Sequence, residues 1–245
     1  MMQMTPTVKQ LLIINVILFI GAQLVPVVNL YFPLYFFENP GFRFWQPITH
    51  MFMHGSVSHI FFNMFALISF GSTLEHFWGP KKFLFFYFSC GLGAALLQSL
   101  AYYYSFHSGV DLLIAAGETK EQIYSLLGQG KINLQWQSIL GADFQSFIES
   151  FTARAVGASG AIYGLLAAFA IMFPNAELAL MFIPVPIKAK YFVPIMVALD
   201  LFSGISGSSF LGGNIAHFAH VGGAVFGALM VWYWKKTQFD NNRWM

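Results

Sequence analysis

The stretch GASGAIYGLLAAFAIMF, residues 157–173, carries no charged residue and ends immediately before Pro174. A bilayer core about 30 Å thick needs about 20 predominantly apolar residues of helix to cross it. The stretch therefore predicts a membrane-spanning helix, and its first turn places Ser159 between small residues.

The rest of the chain has the same apolar character. Of its 245 residues 57% are hydrophobic and 9% are charged, whereas an ordinary soluble domain carries about 25% charged residues. This composition argues against a soluble globular domain. The net charge of +2 gives no reason to expect a nucleic-acid partner. The single cysteine, Cys90, excludes a disulfide within the chain.

Six apolar segments predict a single all-α membrane domain over residues 1–245, a six-helix bundle embedded in the lipid bilayer with two long outer loops. The predicted spans are about 11–28, 59–78, 83–105, 157–173, 191–202 and 215–234, and the outer loops are about 29–58 and 106–154. No small-residue cleavage site follows the first segment, so it is predicted to be a retained anchor and not a signal peptide.

Basic residues predict the orientation of the chain. With six spans, those of the short loops fall on one side: Lys9, Lys81, Lys82, Lys188, Lys190, Lys235, Lys236 and Arg243. The positive-inside rule then places both termini in the cytoplasm. No organellar targeting peptide precedes the first span, which favours a bacterial inner membrane. The sequence does not predict the oligomeric state.

The second outer loop contains one amphipathic segment. Phe144, Phe147, Ile148 and Phe151 are spaced i, i+3, i+4, i+7, which is one face of a helix. Two interpretations fit this pattern. The helix either lies in the membrane interface or packs on its own loop.

Polar residues of three spans are predicted to share one depth. The second, fourth and sixth spans all begin at the outer face, and they carry, near that end, His59, Asn63, Ser159, His217 and His220. Polar side chains inside a membrane are costly and are usually functional. Five of them in one layer predict a site.

Glycines indicate how these residues meet. Small residues let membrane helices approach closely. On the fourth and sixth spans they repeat every four residues, at Gly160 and Gly164 and at Gly223 and Gly227. Packing of these two faces would bring Ser159 within reach of His220.

The residue types in this layer predict nucleophilic catalysis. A serine hydroxyl is a weak nucleophile until a neighbouring base takes its proton, and histidine is suited to that role because its pKa lies near neutrality. We therefore predict Ser159 as nucleophile and His220 as general base. No acid suited to orient the imidazole is evident, so the prediction is a dyad, with Tyr163 one turn after Ser159 stacked on the imidazole.

Acyl transfer also needs donors for the oxyanion. Asn63 and His59 are predicted to serve, together with the backbone N–H of Ser159. His54, Ser56 and Ser58 in the preceding loop would line a wet cavity open to the outside. This chemistry calls for no cofactor and no metal.

These motifs resemble those of the rhomboid family of intramembrane serine proteases, over about Trp45 to Trp234. Gly157-Ala158-Ser159-Gly160 is similar to the family's GxSG motif, in which Gly157 supports the dyad. His220 with its two glycines is similar to AHxxGxxxG, and His59 to Asn63 to HxxxN. Glu75 and Gly79 fit a structural pair at the inner end of the second span.

The resemblance implies cleavage of a transmembrane protein substrate near the outer end of its helix by the dyad Ser159 and His220. It also implies a half-submerged first outer loop and substrate entry past the fifth span. There are two departures. Gln46 stands where the family has an arginine that braces the first loop, and the second outer loop is longer than in the minimal form.

Three alternatives were weighed against a protease. A zinc enzyme could use His50, His54 and His59, but the chain has no HExxH. A transporter or channel would place polar residues along the whole depth of a span. A non-catalytic rhomboid relative would usually lack the serine or the histidine. Asp200, in the fifth span, is not explained by any of these interpretations.

Overall fold

The computed structural model describes residues 4–180, 183–206 and 216–239. In chain order its helices are α1 (Pro6–Leu24), α2 (Val28–Tyr31), α3 (Gln46–Thr49), α4 (Val57–Ala66), α5 (Ser72–Trp78), α6 (Pro80–Ala115), α7 (Lys120–Gly128), α8 (Trp136–Leu140), α9 (Phe144–Thr152), α10 (Ser159–Met172), α11 (Ala189–Ser206) and α12 (His217–Phe239). A π turn, Leu67–Gly71, joins α4 to α5, and short 3₁₀ turns lie at His50–Phe52 and Gly141–Asp143.

Each of the six predicted spans coincides with a helix: α1, the continuous α4–α5, α6, α10, α11 and α12. Among the described residues, four of these are long and apolar enough to cross a membrane, namely α1, α4–α5, α6 and α11, while α10 is a shorter apolar helix of 14 residues. The all-α, multi-pass membrane class is therefore confirmed, and the number of spans stays a prediction. The predicted start of the sixth span, at Ile215, lies outside the described residues.

The third predicted span is longer than the sequence indicated, since α6 continues past 105 to Ala115. Its last turns pack with α7, α8 and α9 into a second apolar core, which we call the outer cluster. The outer cluster comprises Phe36, Phe106, Val110, Leu113, Ile123, Leu127, Trp136, Leu140, Phe147, Ile148 and Phe151. The helix over 144–151 therefore packs on its own loop, which decides between the two interpretations of that segment.

Aromatic rings fill the outer cluster. Phe106 and Phe147 stack with ring centroids 5.3 Å apart and an interplanar angle of 5°. Phe147 also covers Gly109, where a Cβ would lie 2.4 Å from the ring. A ring packed on a glycine thus brings α9 close to α6.

The membrane core is built on a close crossing of α10 and α12. A Cβ on Gly223 would lie 1.8 Å from the carbonyl oxygen of Gly160, and one on Gly227 would lie 2.6 Å from that of Gly164. Because these neighbours are backbone atoms, they cannot turn aside as a side chain could. The predicted packing of the two glycine faces is confirmed.

Basic side chains gather at the end of the bundle opposite Ser159. The Nζ of Lys235 donates to the carbonyl oxygen of Ile171 near the end of α10 (3.0 Å), and the Nζ of Lys82 lies 4.1 Å from the ring centre of Trp234. The starts of α6 and the ends of α10 and α12 therefore share one end, as the lysine pattern predicted. Arg243 lies outside the described residues.

A carboxylate attaches α1 to the bundle. Glu75 accepts hydrogen bonds from the backbone N–H groups of Thr7 and Val8, both at 3.0 Å, and from the hydroxyl of Thr5. The first N–H groups of a helix have no partner within it. A negative charge there also complements the helix dipole, so Glu75 caps a helix that begins 69 positions earlier in the chain (75 − 6).

A β-hairpin follows α10, which the sequence analysis did not predict. Strands β1 (Glu177–Leu180) and β2 (Ile183–Lys188) pair antiparallel, with Glu177 opposite Lys188. The sequence IPVPIK of β2 contains two prolines, which argue against a central strand but are tolerated at a sheet edge. In a two-stranded hairpin every strand is an edge.

Candidate active site

Ser159 and His220 meet where α10 and α12 cross. Ser159 is the first residue of α10, and His220 lies in the first turn of α12. The Oγ of Ser159 and the Nε2 of His220 are 2.9 Å apart, a normal hydrogen-bond distance. The glycine crossing beside this pair, at Gly160 directly after Ser159 and at Gly223 one turn after His220, holds the two helices close enough for the contact.

Tyr163 lies against the imidazole. Its ring stacks on that of His220 with centroids 4.2 Å apart and an interplanar angle of 8°. The structure thus places Tyr163 where the sequence analysis expected it, one turn after Ser159. The stacked ring leaves the imidazole little freedom to rotate out of its plane.

Asp200 supplies a contact that the sequence analysis missed. Its Oδ1 lies 3.1 Å from the Nδ1 of His220 and 2.6 Å from the Nδ1 of His217, and its Oδ2 accepts the hydroxyl hydrogen of Tyr163. Asp200 is only 3% exposed. The expectation that no acid reaches the imidazole is therefore wrong.

A sequence signal for this contact existed. Asp200 is the single acid of an apolar span, and such residues are rarely without a task. In the predicted six-span topology the fifth span runs from the inner to the outer face, so its later residues would reach the same layer as the starts of the second, fourth and sixth spans.

His59 and Asn63 lie on α4, which begins after an N-cap. The hydroxyl of Ser56 accepts a hydrogen bond from the backbone N–H of His59 (3.1 Å), as N-cap serines do. The Nδ2 of Asn63 donates to the carbonyl oxygen of His59 (2.9 Å), and Asn63 is buried. The contact that holds Asn63 thus lies within its own helix.

Gly157 keeps open the space between His59 and Ser159. A Cβ at this position would lie 2.8 Å from the Nε2 of His59 and 3.5 Å from the Oγ of Ser159. Gly157 also has a φ of 122°, which side-chain-bearing residues rarely adopt. Both observations give a structural reason for glycine here, and a Cβ at this position would be in contact with both the His59 imidazole and the Ser159 hydroxyl.

The first outer loop holds the segment before Ser159 in place. Leu34 and Ala155 form an antiparallel bridge, and the backbone N–H of Gly157 donates to the carbonyl oxygen of His50 (2.9 Å). His50 is itself buried, and burial lowers its pKa to about 4. A neutral imidazole at this position can then donate through Nδ1 to the carbonyl oxygen of Gln46 (2.9 Å).

Of the three loop residues expected to line a wet cavity, two are exposed and one is not. Ser56 and Ser58 are exposed and share a 3.0 Å hydrogen bond. His54 is buried with its ring centroid 5.0 Å from that of His59. Burial, aided by the nearby charge of His59, lowers the pKa of His54 to about 4.

Gln46 braces the first outer loop in place of the family's arginine. It is fully buried. Its Oε1 accepts from the backbone N–H of Tyr35 (3.3 Å), and its Nε2 donates to the carbonyl oxygens of Tyr31 (3.3 Å) and Gly41 (3.0 Å). A neutral amide that joins three backbone groups thus does the bracing.

The structure gives no support to a zinc site among the residues it describes. Across residues 4–180, 183–206 and 216–239, no three His, Cys, Asp or Glu side chains lie close enough together to hold a metal ion.

Comparison with known proteins places this arrangement in a family. The Rhomboid domain family model matches residues 41–237. The rhomboid protease AarA of Providencia stuartii is 28% identical over 199 residues, which cover 76% of this chain and 54% of that protein. The mitochondrial presenilin-associated rhomboid-like protein A of Danio rerio is 27% identical over 212 residues, covering 85% of this chain and 42% of the relative.

A third relative has the same degree of similarity. The mitochondrial rhomboid protein 1 of Saccharomyces cerevisiae is 27% identical over 190 residues, which cover 78% of this chain and 42% of the yeast protein. The chain thus spans about half the length of the curated relatives it matches. Because the family model covers most of the chain, including the crossing of α10 and α12, the protein belongs to the rhomboid family.

Proposed function

We propose that this chain is an intramembrane serine endopeptidase in which Ser159 is the nucleophile and His220 the general base. Rhomboid proteins are generally intramembrane serine proteases. The observation that carries the assignment is the 2.9 Å contact between the Oγ of Ser159 and the Nε2 of His220. A nucleophile within hydrogen-bond reach of a base is the arrangement that acyl transfer requires.

The first half of the reaction forms an ester. The Oγ of Ser159 attacks the carbonyl carbon of the scissile peptide while its proton passes to the Nε2 of His220. The tetrahedral intermediate collapses as the C–N bond breaks. His220 gives the proton to the departing amine, and the acyl group stays on Ser159.

The second half uses water. A water molecule attacks the ester carbon and loses a proton to His220, and the bond between that carbon and the Oγ breaks as Ser159 regains the proton. The exposed Ser56 and Ser58 beside His59 offer a polar approach for this water from the outer side.

The oxyanion donors we propose are His59, Asn63 and the backbone N–H of Ser159. The Nδ1 of His59 accepts from the backbone N–H of Gly55 (3.4 Å), so in the neutral ring the proton sits on Nε2. That nitrogen faces the space beside the Ser159 hydroxyl. Asn63 has two amide hydrogens, of which one bonds to the carbonyl oxygen of His59 and the other is left for the oxyanion.

The substrates we propose are transmembrane proteins, cut near the outer end of a helix. The outer half of α11 presents large apolar side chains at its surface, among them Phe202 and Ile205, which suits entry of an apolar helix from lipid. We further propose one catalytic domain over residues 1–245 with both termini in the cytoplasm of a bacterium. Impermeant thiol labelling of cysteines at 81, 131 and 188, with Cys90 replaced, tests that orientation.

The test of the dyad is covalent labelling by a fluorophosphonate together with cleavage of a single-span model substrate. Ser159→Ala should abolish both, and His220→Ala should reduce both to near background. The double variant should be no worse than the single variants, because the two residues act as one unit. Cleavage by purified Ser159→Ala protein would contradict the assignment.

A further inference from the structure

We propose that Asp200 is a positioning residue that fixes the orientation and tautomer of His220, so that the site works as a triad of Ser159, His220 and Asp200. This inference rests on the proposed protease function. It adds a third side chain, from α11, to a site that the sequence analysis treated as a dyad.

The argument begins with the two ring nitrogens of His220. The Nε2 faces the Oγ of Ser159 at 2.9 Å, and the Nδ1 faces the Oδ1 of Asp200 at 3.1 Å. A neutral imidazole carries one N–H and one bare nitrogen, and an ionised carboxylate can only accept hydrogen bonds. Asp200 therefore selects the tautomer with the proton on Nδ1, which leaves Nε2 bare and able to take the serine proton.

The carboxylate also matches the charge that appears during the reaction. His220 becomes a cation when it takes the proton of Ser159. A negative group that is already in place beside Nδ1 stabilises this cation without rearrangement. In soluble serine proteases a buried aspartate holds the imidazole in this way.

Asp200 is itself held firmly. Besides His220 it accepts hydrogen bonds from the Nδ1 of His217 and the hydroxyl of Tyr163. Tyr163 also stacks on His220, so one side chain restrains both the carboxylate and the imidazole. An ionised carboxylate inside a membrane protein needs such partners, because an unpaired one is costly there.

The competing explanation is that Asp200 only joins α11 to α10 and α12. His217 separates the two explanations, since its Nδ1 bonds the same carboxylate oxygen at 2.6 Å, while its Nε2 has no hydrogen-bond partner among the described residues. If the bond between helices were all that mattered, removing the His217 imidazole should harm turnover about as much as changing Asp200.

The first experiment compares Asp200→Asn, Asp200→Ala and His217→Asn in turnover of the model substrate. We expect kcat to fall at least about 10-fold in both Asp200 variants, with an upper limit of about 10⁴-fold as in soluble triads, and KM to stay within about twofold. Asp200→Asn should be as damaging as Asp200→Ala, because an amide can donate to Nδ1 and enforce the unproductive tautomer.

The pattern expected from a purely structural role is different. Asp200→Asn keeps the size of the side chain and an oxygen that can accept from Tyr163. With a purely structural role, Asp200→Asn would therefore lower kcat less than Asp200→Ala does, and His217→Asn would lower kcat about as much as Asp200→Asn. That ranking, or full turnover in Asp200→Asn, would overturn the proposal.

The second experiment reads the tautomer directly and does not depend on activity. Nitrogen-15 NMR of histidine-labelled Ser159→Ala protein, with the His220 signal assigned by its loss in the variant that also carries His220→Ala, should show the proton on Nδ1. Adding Asp200→Asn should move it toward Nε2. An Nε2–H tautomer in the protein with Asp200 intact would overturn the proposal even if every Asp200 variant failed to fold.

The two experiments also separate this inference from the function on which it rests. Activity retained by Ser159→Ala would contradict the protease assignment and leave the tautomer measurement standing. A wrong tautomer alongside an inactive Ser159→Ala protein would contradict only the role of Asp200.

Discussion

The crossing of α10 and α12 in the membrane core and the packing of the outer cluster bring helices together with opposite kinds of residue. In the core, α10 and α12 approach so closely that a single added carbon at Gly223 would lie 1.8 Å from a backbone oxygen. In the outer cluster, bulky rings such as Phe106, Trp136 and Phe147 are completely or almost completely buried. The crossing of α10 and α12 excludes large side chains, although Phe83, Phe86 and Tyr87 are fully buried elsewhere in the membrane core. The outer cluster depends on large side chains throughout.

The difference follows from the surroundings of each region. Between helices in lipid there is no hydrophobic driving force, since lipid tails are as apolar as leucine, so association relies on close van der Waals contact. The segments that form the outer cluster carry exposed charged residues, including Lys120, Glu121 and Asp143. These charges indicate that the surface of the outer cluster is in contact with water. There the burial of aromatic surface is strongly favourable.

The comparison predicts which region governs the chemistry. The contact of Ser159 with His220 depends on the glycine crossing, whereas the outer cluster lies further along α6 and around the segment that leads to Ala155. Changes in the core should therefore act on the reactivity of Ser159. Changes in the outer cluster should act on local stability.

The largest effect is expected from Gly223→Ala. The new methyl group has to push α12 away from the backbone of Gly160, and a displacement of about 1 Å at a catalytic group can cost about 10²-fold in rate. We expect the rate of fluorophosphonate labelling of Ser159 to fall by at least this factor, with a lower melting temperature because overpacking costs about 1–3 kcal/mol.

The matched control for that variant is Gly21→Ala. Gly21 is also a helical glycine, but nothing lies within 4 Å of a Cβ built there. This variant should keep the wild-type labelling rate and gain slightly in stability from the better helix propensity of alanine. If Gly21→Ala and Gly223→Ala have the same labelling rate, the close approach of α10 and α12 at Gly223 does not control the reactivity of Ser159.

Asn63→Ala sharpens the comparison within the core, because it removes a polar group without changing the crossing. Loss of one oxyanion donor costs about 10²–10³-fold in kcat in a soluble protease. Here His59 and the backbone N–H of Ser159 remain, so we expect a loss of about 10- to 100-fold in kcat with KM nearly unchanged.

Labelling of Ser159 in Asn63→Ala should be slowed but still measurable, since nucleophile and base are intact. Full turnover, or a loss that only follows a large drop in melting temperature, would assign Asn63 to packing.

Phe147→Ala tests the outer cluster. Phe147 is 1% exposed, and truncation of a buried phenylalanine costs about 3–5 kcal/mol. Hydrogen exchange in α7–α9 should accelerate strongly, while labelling of Ser159 stays within about fivefold of wild type because local opening need not reach the core. Phe144→Ala, at a less buried position of the same helix, is the control. A collapse of Ser159 labelling would show that the two regions are not independent.

The smallest expected effect is a loss of local stability in the outer cluster at low pH. Burial acts to raise the pKa of Glu38, but hydrogen bonds from Tyr124 and from His107 outweigh it and hold that pKa below 4.5. A carboxyl whose pKa is lowered on folding stabilises the fold above the unfolded pKa, and this contribution is lost as pH falls through the folded value.

Hydrogen exchange of α7–α9, corrected for its intrinsic pH dependence, should therefore increase modestly below pH 4.5, by an amount corresponding to about 1 kcal/mol. Glu38→Gln should remove most of this dependence, while Glu121→Gln, at an exposed position of α7, should leave it intact. If hydrogen exchange in Glu38→Gln still increases below pH 4.5 as in the wild type, a group other than Glu38 is responsible for the pH dependence.

The sequence predicted those parts of the structure that depend on hydrophobicity and on small residues. All six apolar segments became helices, and the glycine faces of α10 and α12 pack as their spacing indicated. These signals are local, because each can be read within one segment. The stacking position of Tyr163 followed from the same helical spacing.

The features that could not be predicted from the sequence depend on contacts between segments that are distant in the chain. Asp200 reaches His220 only because α11 runs antiparallel to its neighbours, and Gln46 satisfies three backbone groups of its own loop that no pattern specifies. The end of α6 was placed too early because His107 and Asp111 resemble loop residues. They become helical because the outer cluster packs around the opposite face.

The carboxylate that caps α1 has a consequence for how the protein is made. Val8 and Glu75 are 67 residues apart in the chain, and a ribosome adds about 5–20 residues per second. The first helix therefore waits on the order of 3 to 13 s in the translocation machinery or the lipid before its cap exists. Its many lipid-compatible surface residues, such as Ile17, Ile20 and Leu24, let it persist alone during that interval, and the arrival of Glu75 supplies the carboxylate that its first N–H groups lack until then.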